Sequence, residues 1–233
     1  MTVYIYTTLD YPSSVGSTNV EGINSAGEVV GFYGGTPRGF LYSNGALTAI
    51  DDPLATTWTT PLGINDSGVI VGQYRDTANH GFIYNPSTGQ YSTIDHAGAT
   101  QTGCYGINTA GQIVGFYTDT VGSGRHGFLF SGNLFTTIDD PLGTQGTVAT
   151  GINNAGQIVG YYYDNNNVLN GFLYDPSNGS FTTLDDPLGT QTSPLGLNDF
   201  GQIVGWYMDA GFHTHGFSTA AGVTPPSIPR TSA

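Results

Sequence analysis

The chain contains no lysine, and its only arginines are Arg38, Arg75, Arg125 and Arg230. Against these stand 17 acidic residues in 233, for a formal net charge of −13. Nucleic-acid binding depends on neutralising phosphates with basic side chains, so nucleic acid is excluded as a partner. Attachment to an anionic membrane surface fails on the same ground. No apolar run reaches the roughly 18 residues of a membrane-spanning helix. The opening Met1-Thr2-Val3-Tyr4-Ile5-Tyr6 lacks the basic and apolar regions of a signal peptide. Cys104 is the single cysteine, which rules out an internal disulfide and reads as a small packing residue. Glutamate is scarce beside aspartate, and no stretch keeps a helical period. There is no Gly-x-Ser-x-Gly, no phosphate loop and no clustered zinc-type histidine set.

What the chain does have is glycine, tyrosine and phenylalanine, a palette of strands and tight turns. It also has a repeat. Gly22-Ile23-Asn24, Gly63-Ile64-Asn65, Gly106-Ile107-Asn108, Gly151-Ile152-Asn153 and Gly196-Leu197-Asn198 follow one another at intervals of 41, 43, 45 and 45 residues. Repeats of this length signal an array or a propeller. The fourth copy shows the unit. Thr150-Gly151-Ile152-Asn153 is a first strand, and Asn153-Asn154-Ala155-Gly156 a tight turn whose Asn and Gly tolerate positive φ. Gln157 to Tyr162 form a second strand, Gly171-Phe172-Leu173-Tyr174 a third and Phe181-Thr182-Thr183-Leu184 a fourth. Four antiparallel strands per repeat make a propeller blade.

The fifth copy has three of these strands, ending at His215-Gly216-Phe217-Ser218, and no fourth. Tyr6-Thr7-Thr8-Leu9-Asp10 matches Phe181-Thr182-Thr183-Leu184-Asp185, so the N-terminal strand is expected to close the last blade. The expected fold is an all-β, five-bladed β-propeller over residues 1–222, followed by a Pro-rich tail over residues 223–233. Gly31, Gly72, Gly115, Gly160 and Gly205 recur in strand two, where neighbouring blades are expected to crowd.

In such a meander, the loop between strands two and three shares a rim with the link to the next blade. Scaffolded loops of variable sequence are where binding usually sits. On this loop rim a Tyr-x-Asp motif follows strand two, as Tyr74/Asp76, Tyr117/Asp119, Tyr162/Asp164 and Tyr207/Asp209. His80, His126, Asn170 and His215 precede strand three. Copy one departs from the pattern, with Tyr33, Gly35 and Arg38. The links read Asp51-Asp52-Pro53, Asp139-Asp140-Pro141 and Asp185-Asp186-Pro187, with the first Asp expected to cap the corner. The rim groups either hold the loops or meet a ligand. A ring, a carboxylate and an imidazole side by side suit a sugar: the carboxylate accepts hydroxyl hydrogen bonds and the ring covers the apolar face. The oxygen-rich Asp164-Asn165-Asn166-Asn167 lacks the spaced acidic pattern of a calcium loop.

The Gly-Ile-Asn-x-x-Gly-Gln-Ile-Val-Gly-x-Tyr segment, followed by His-Gly-Phe-Leu-Tyr, resembles the bacterial extracellular HAF repeats, over most of the chain up to about Ser218. That resemblance implies an extracellular or cell-surface protein. The blade count with multiplied rim sites is similar in architecture to the five-bladed propeller lectins, those like tachylectin-2 among them. The reading that follows is a multivalent lectin whose partners are glycans or monosaccharides, without catalytic residues, metal or cofactor. A protein-interaction scaffold and a glycoside hydrolase stand as alternatives, and oligomerisation is left open.

Overall fold

The structure is a computed structural model, and it describes residues 7–11, 16–120 and 124–219. It is an all-β, five-bladed β-propeller, and the described residues contain no helix. Blade 1 is the meander β1 (Thr18–Ile23), β2 (Val29–Tyr33), β3 (Arg38–Ser43) and β4 (Ala46–Ile50). Blade 2 is β5 (Trp58–Ile64), β6 (Ile70–Arg75), β7 (Asn79–Asn85) and β8 (Gln90–Ile94). Blade 3 is β9 (Gln101–Ile107), β10 (Ile113–Thr118), β11 (Arg125–Ser131) and β12 (Leu134–Thr137). Blade 4 is β13 (Gly146–Ile152), β14 (Ile158–Tyr163), β15 (Leu169–Asp175) and β16 (Ser180–Thr183). Blade 5 is β17 (Gln191–Leu197), β18 (Ile203–Met208) and β19 (Thr214–Ser218).

The core lies between blades. Phe40, Phe82, Phe128 and Phe172 of the third strands are fully buried, and so are Val30, Val71, Val114 and Val159 of the second. Sheets covered on both faces need apolar side chains on both, which is why these strands read as runs and not as alternation. The inner strands approach so closely that the glycine of Gly-Ile-Asn has no room for a side chain. A Cβ on Gly106 would lie 3.2 Å from the Gly151 Cα, and one on Gly151 would lie 3.1 Å from the Gly196 Cα.

The strand-two glycines are crowded from a different side than expected. A Cβ on Gly160 would strike the Val148 carbonyl and the Phe172 ring, both within its own blade. The cause is a β-bulge in every first strand, between Val20 and Gly22, Pro61 and Gly63, Cys104 and Gly106, Ala149 and Gly151, and Pro194 and Gly196. A bulge bends its strand locally, and here the bent carbonyl lies against strand two. Blades meet at the strand-three glycines instead: Gly39 lies against Pro61, Gly81 against the Cys104 Sγ and Gly171 against Pro194. Cys104 is thus the packing residue that was expected, buried with no disulfide partner.

On the turn rim, the asparagine of each Gly-Ile-Asn joins two blades. The Nδ2 of Asn24 donates to the Asn65 carbonyl at 3.1 Å, Asn65 to Asn108 at 3.0 Å, Asn108 to Asn153 at 3.1 Å and Asn153 to Asn198 at 3.4 Å. The same side chains accept, through Oδ1, the N–H four residues on and so fold their own turns.

From blade 5 to blade 1 this packing is not repeated among the described residues. Val204 is 51% exposed where its four counterparts are fully buried, and Val20 is 54% exposed where Cys104 and Ala149 are fully buried. Of the expected closing strand, Tyr6 lies outside the described residues, and residues 7–10 carry no strand pairing. Tyr11 donates its N–H to Thr18 Oγ1. The links use the same bond from Asp52 to Thr59, Asp140 to Thr147 and Asp186 to Thr192. The segment therefore enters blade 1 as an interblade link does. Residues 220–233, with the expected Pro-rich tail, also lie outside the described residues.

The bulge geometry makes Gly160→Ala costly, by at least about 2 kcal/mol, because a backbone carbonyl cannot move aside as a side-chain end can. Gly35, with nothing within 4 Å of its added Cβ, should accept alanine within about 0.5 kcal/mol. Urea denaturation of the two variants beside the parent measures the contrast.

Candidate functional site on the loop rim

Register builds the rim cluster. The next-to-last residue of strand two pairs directly with the second residue of strand three: Tyr74 with His80, Tyr117 with His126, Tyr162 with Asn170 and Tyr207 with His215. The three histidine pairs stack with ring centroids 5.0 Å apart. Two residues beyond each tyrosine, the aspartate turns the loop. Asp76 Oδ1 accepts from the Ala78 N–H, Asp164 Oδ1 from Asn166 and Val168, and Asp209 Oδ1 from Gly211 and His213.

His80 and His126 are each held between two carboxylates, and His215 meets one. His80 Nδ1 lies 2.7 Å from Asp95 Oδ2, and its Nε2 lies 3.0 Å from Asp76 Oδ1. His126 Nδ1 lies 2.7 Å from Asp139 Oδ2, with Asp119 3.7 Å from its Nε2. His215 Nε2 lies 3.0 Å from Asp209 Oδ2. Blade 4 has no imidazole, and Asn170 donates to the Val168 carbonyl while Asp185 accepts from the Gly171 N–H. In blade 1, Arg38 takes the histidine's place and its Nε donates to Asp51 Oδ1 at 2.7 Å.

These bonds set the protonation. The Ala78 N–H and then the His80 ring hold the Asp76 carboxyl down to about 2. The His213 N–H and the His215 ring hold Asp209 well below the usual carboxylate range. Burial works against a charge on His80, but its hydrogen bonds to Asp95 and Asp76 outweigh that and raise its pKa.

Two expectations change. Three of the four tyrosines are core residues, not open platforms: Tyr74, Tyr117 and Tyr162 are only 3%, 8% and 3% exposed, while Tyr207 is half-buried. The Tyr117 ring stacks with both His96, at 3.8 Å, and His126, at 5.0 Å. The Tyr74 and Tyr117 hydroxyls bond to Thr93 and Thr137. Roles within Asp-Asp-Pro are also exchanged. The second aspartate caps the corner, since Asp52, Asp140 and Asp186 accept from the N–H of Leu54, Leu142 and Leu188. The first carboxylate is the one that reaches the histidine or arginine of strand three, at Asp139 and Asp51.

The leucine that follows each of these corners is an addition to the site. Leu54, Leu142 and Leu188 are all exposed large apolar side chains. Their recurrence after Asp-Asp-Pro was visible in the sequence, but only the structure shows them uncovered.

The profile described as "Protein of unknown function (DUF3466)" matches residues 43–200, well over half of the chain. The chain belongs to the DUF3466 family. Among curated proteins none matches it in sequence. Its fold is similar to that of TolB from Acinetobacter baumannii, with a TM-score of 0.63 and 13% identity, covering 89% of this chain and 55% of TolB. This DUF3466 chain thus spans little more than half the length of that protein. It is also similar to a mutant Aleuria aurantia lectin in complex with alpha-methyl-L-fucoside, with a TM-score of 0.51, 12% identity and coverage of 88% and 74%. A mutant of AofleA from Arthrobotrys oligospora gives 0.52, 16%, 87% and 68%. At these identities the likeness establishes the propeller fold.

The raised pKa of His80 gives its clasp a pH signature. A group whose pKa rises on folding contributes fully below its unfolded value, near 6.5, and the contribution is lost as pH climbs through the folded value. The parent should therefore lose more thermal stability between pH 6 and pH 8 than His80→Gln. Partial exposure keeps the difference within about 3 °C. Paired thermal melts across that range measure it.

Proposed function

We propose that this DUF3466 protein is a multivalent, non-enzymatic glycan-binding protein that uses its loop rim. The observation that carries the reading is the recurrence of one aspartate–histidine cluster, at one place in the blade, in blades 2, 3 and 5. Carboxylates held ionised beside an imidazole accept hydrogen bonds from sugar hydroxyls. The apolar face of the sugar is covered by an exposed leucine of the adjoining link, Leu142 in blade 3, and not by the buried tyrosines. Sites repeated on one rim gain affinity together on a surface carrying many copies of a sugar. The Aleuria aurantia lectin, on the same general fold, holds a fucoside in its crystal, which supports a propeller as a sugar-binding frame. The resemblance of the repeats to HAF repeats supports an extracellular setting.

A protein-interaction scaffold is the second reading, favoured by the exposed leucines on an acidic rim. It predicts one broad patch in place of separate pockets. A glycan array beside a reducing-sugar release assay separates the readings: binding without release supports the lectin, binding to no glycan favours the scaffold, and release favours a hydrolase. Once a sugar is found, Asp119→Asn and Leu142→Ala should each weaken the blade 3 site. Losing a hydrogen bond to a charged group is worth about 1.5–3 kcal/mol, or roughly 10- to 150-fold. Calorimetric stoichiometry should then fall by about one site while the melting temperature of Leu142→Ala stays that of the parent.

A further inference from the structure

The five β-bulges aim five side chains along the propeller axis. The residue inside each bulge is Glu21, Leu62, Tyr105, Thr150 or Leu195. All five line one cavity of about 510 Å³. The residue after the bulge is glycine in every copy, whereas the bulge position holds four residue types in five copies, with leucine at both Leu62 and Leu195. Five identical large side chains would collide on an axis, which accounts for differences in size. It does not account for the chemistry. The remaining wall carries Tyr161, Tyr163 and Trp206, so four aromatic side chains, Tyr105 included, face a space with a single carboxyl group.

That carboxyl belongs to Glu21. It makes no ion pair among the described residues. Its side chain is exposed at the cavity wall, and partial burial there raises its pKa. The Arg125 guanidinium lies over the Phe116 ring at 4.6 Å, hydrogen-bonds Tyr161 and acts on Tyr105 through its charge, but forms no ion pair with Glu21. Tyr105 is held by Gln73. Aromatic faces attract cations through their quadrupole, and a carboxylate on the same wall adds a full charge to that field.

We propose that the axial cavity binds a small organic cation, an alkylated ammonium with an apolar body, with Glu21 as the counter-charge and Trp206, Tyr161 and Tyr163 as the enclosing rings. A monovalent metal ion would leave the rings unused, and an anion would meet Glu21 and the net charge of −13. A neutral sugar would use the rings and leave the carboxyl without its opposite charge. This site is separate from the loop-rim clusters and does not depend on their function.

The test pairs choline with its uncharged isostere 3,3-dimethyl-1-butanol, followed by Trp206 fluorescence in a Trp58→Phe background and by calorimetry. The expected result is saturable binding of one choline per chain, with the isostere at least about 10-fold weaker. Glu21→Gln should lower choline affinity by a similar factor. Its side chain is not part of the packed core, so the variant should fold. Trp206→Leu should weaken choline and isostere alike. Leu142→Ala on the rim should leave choline binding unchanged, so failure here and failure of the glycan reading are told apart. Equal binding of choline and isostere, indifference to Glu21→Gln, displacement of choline by neutral monosaccharides, or no saturable choline binding would each overturn the proposal.

Discussion

The structure depends on what one side-chain amide does at the end of each first strand. The asparagine oxygen accepts an N–H of its own turn, and in the first four copies one N–H of its Nδ2 reaches a backbone carbonyl of the next blade. In three copies a glutamine four residues on, at Gln112, Gln157 and Gln202, takes another Nδ2 proton. In copy one, Glu28 does so. A buried amide left with unmet hydrogen bonds is expensive, and this one meets them only when turn and neighbour are both in place. Local folding and blade-to-blade docking are therefore conditions of each other. The glycine two residues earlier belongs to the same device, since a side chain there would hold the inner strands too far apart for the amide to reach.

The loop rim follows a similar economy with charge. A protein with so few cations has to place its carboxylates carefully. It does so by giving the link aspartates a partner in the adjacent strand, an imidazole in blades 2 and 3 and a guanidinium in blade 1. The clusters hold the loops and at the same time keep ionised oxygens at the surface. Holding a loop and meeting a ligand are thus compatible uses of the same atoms.

The blade was legible in the sequence because strand, turn and repeat signals are local: Asn-x-x-Gly turns, apolar runs and a fixed spacing each have one reading. The positions of Tyr, Asp and His on the rim were legible too, because paired register follows from the hairpin. What the sequence did not disclose was which face of each ring is covered. His96 lies far from Tyr117 along the chain and belongs to a link that departs from the Asp-Asp-Pro pattern, yet it seals one side of that tyrosine. The exchange of roles between Asp51 and Asp52 was hidden for a related reason. Either carboxylate can cap a corner, and only the direction of the chain leaving strand four decides which one does. The bulges had no sequence mark, since the inserted residue is of four types in five copies.

The last point bears on how such a chain changes over generations. A bulge residue lies outside the ladder of its sheet, so replacing it leaves the blade's own hydrogen bonds intact. Copies of a duplicated blade are tied to one another nearly everywhere by shared contacts, but at this position each can drift alone. The axis is therefore where the protein can acquire new chemistry one residue at a time, without first passing through a weaker fold.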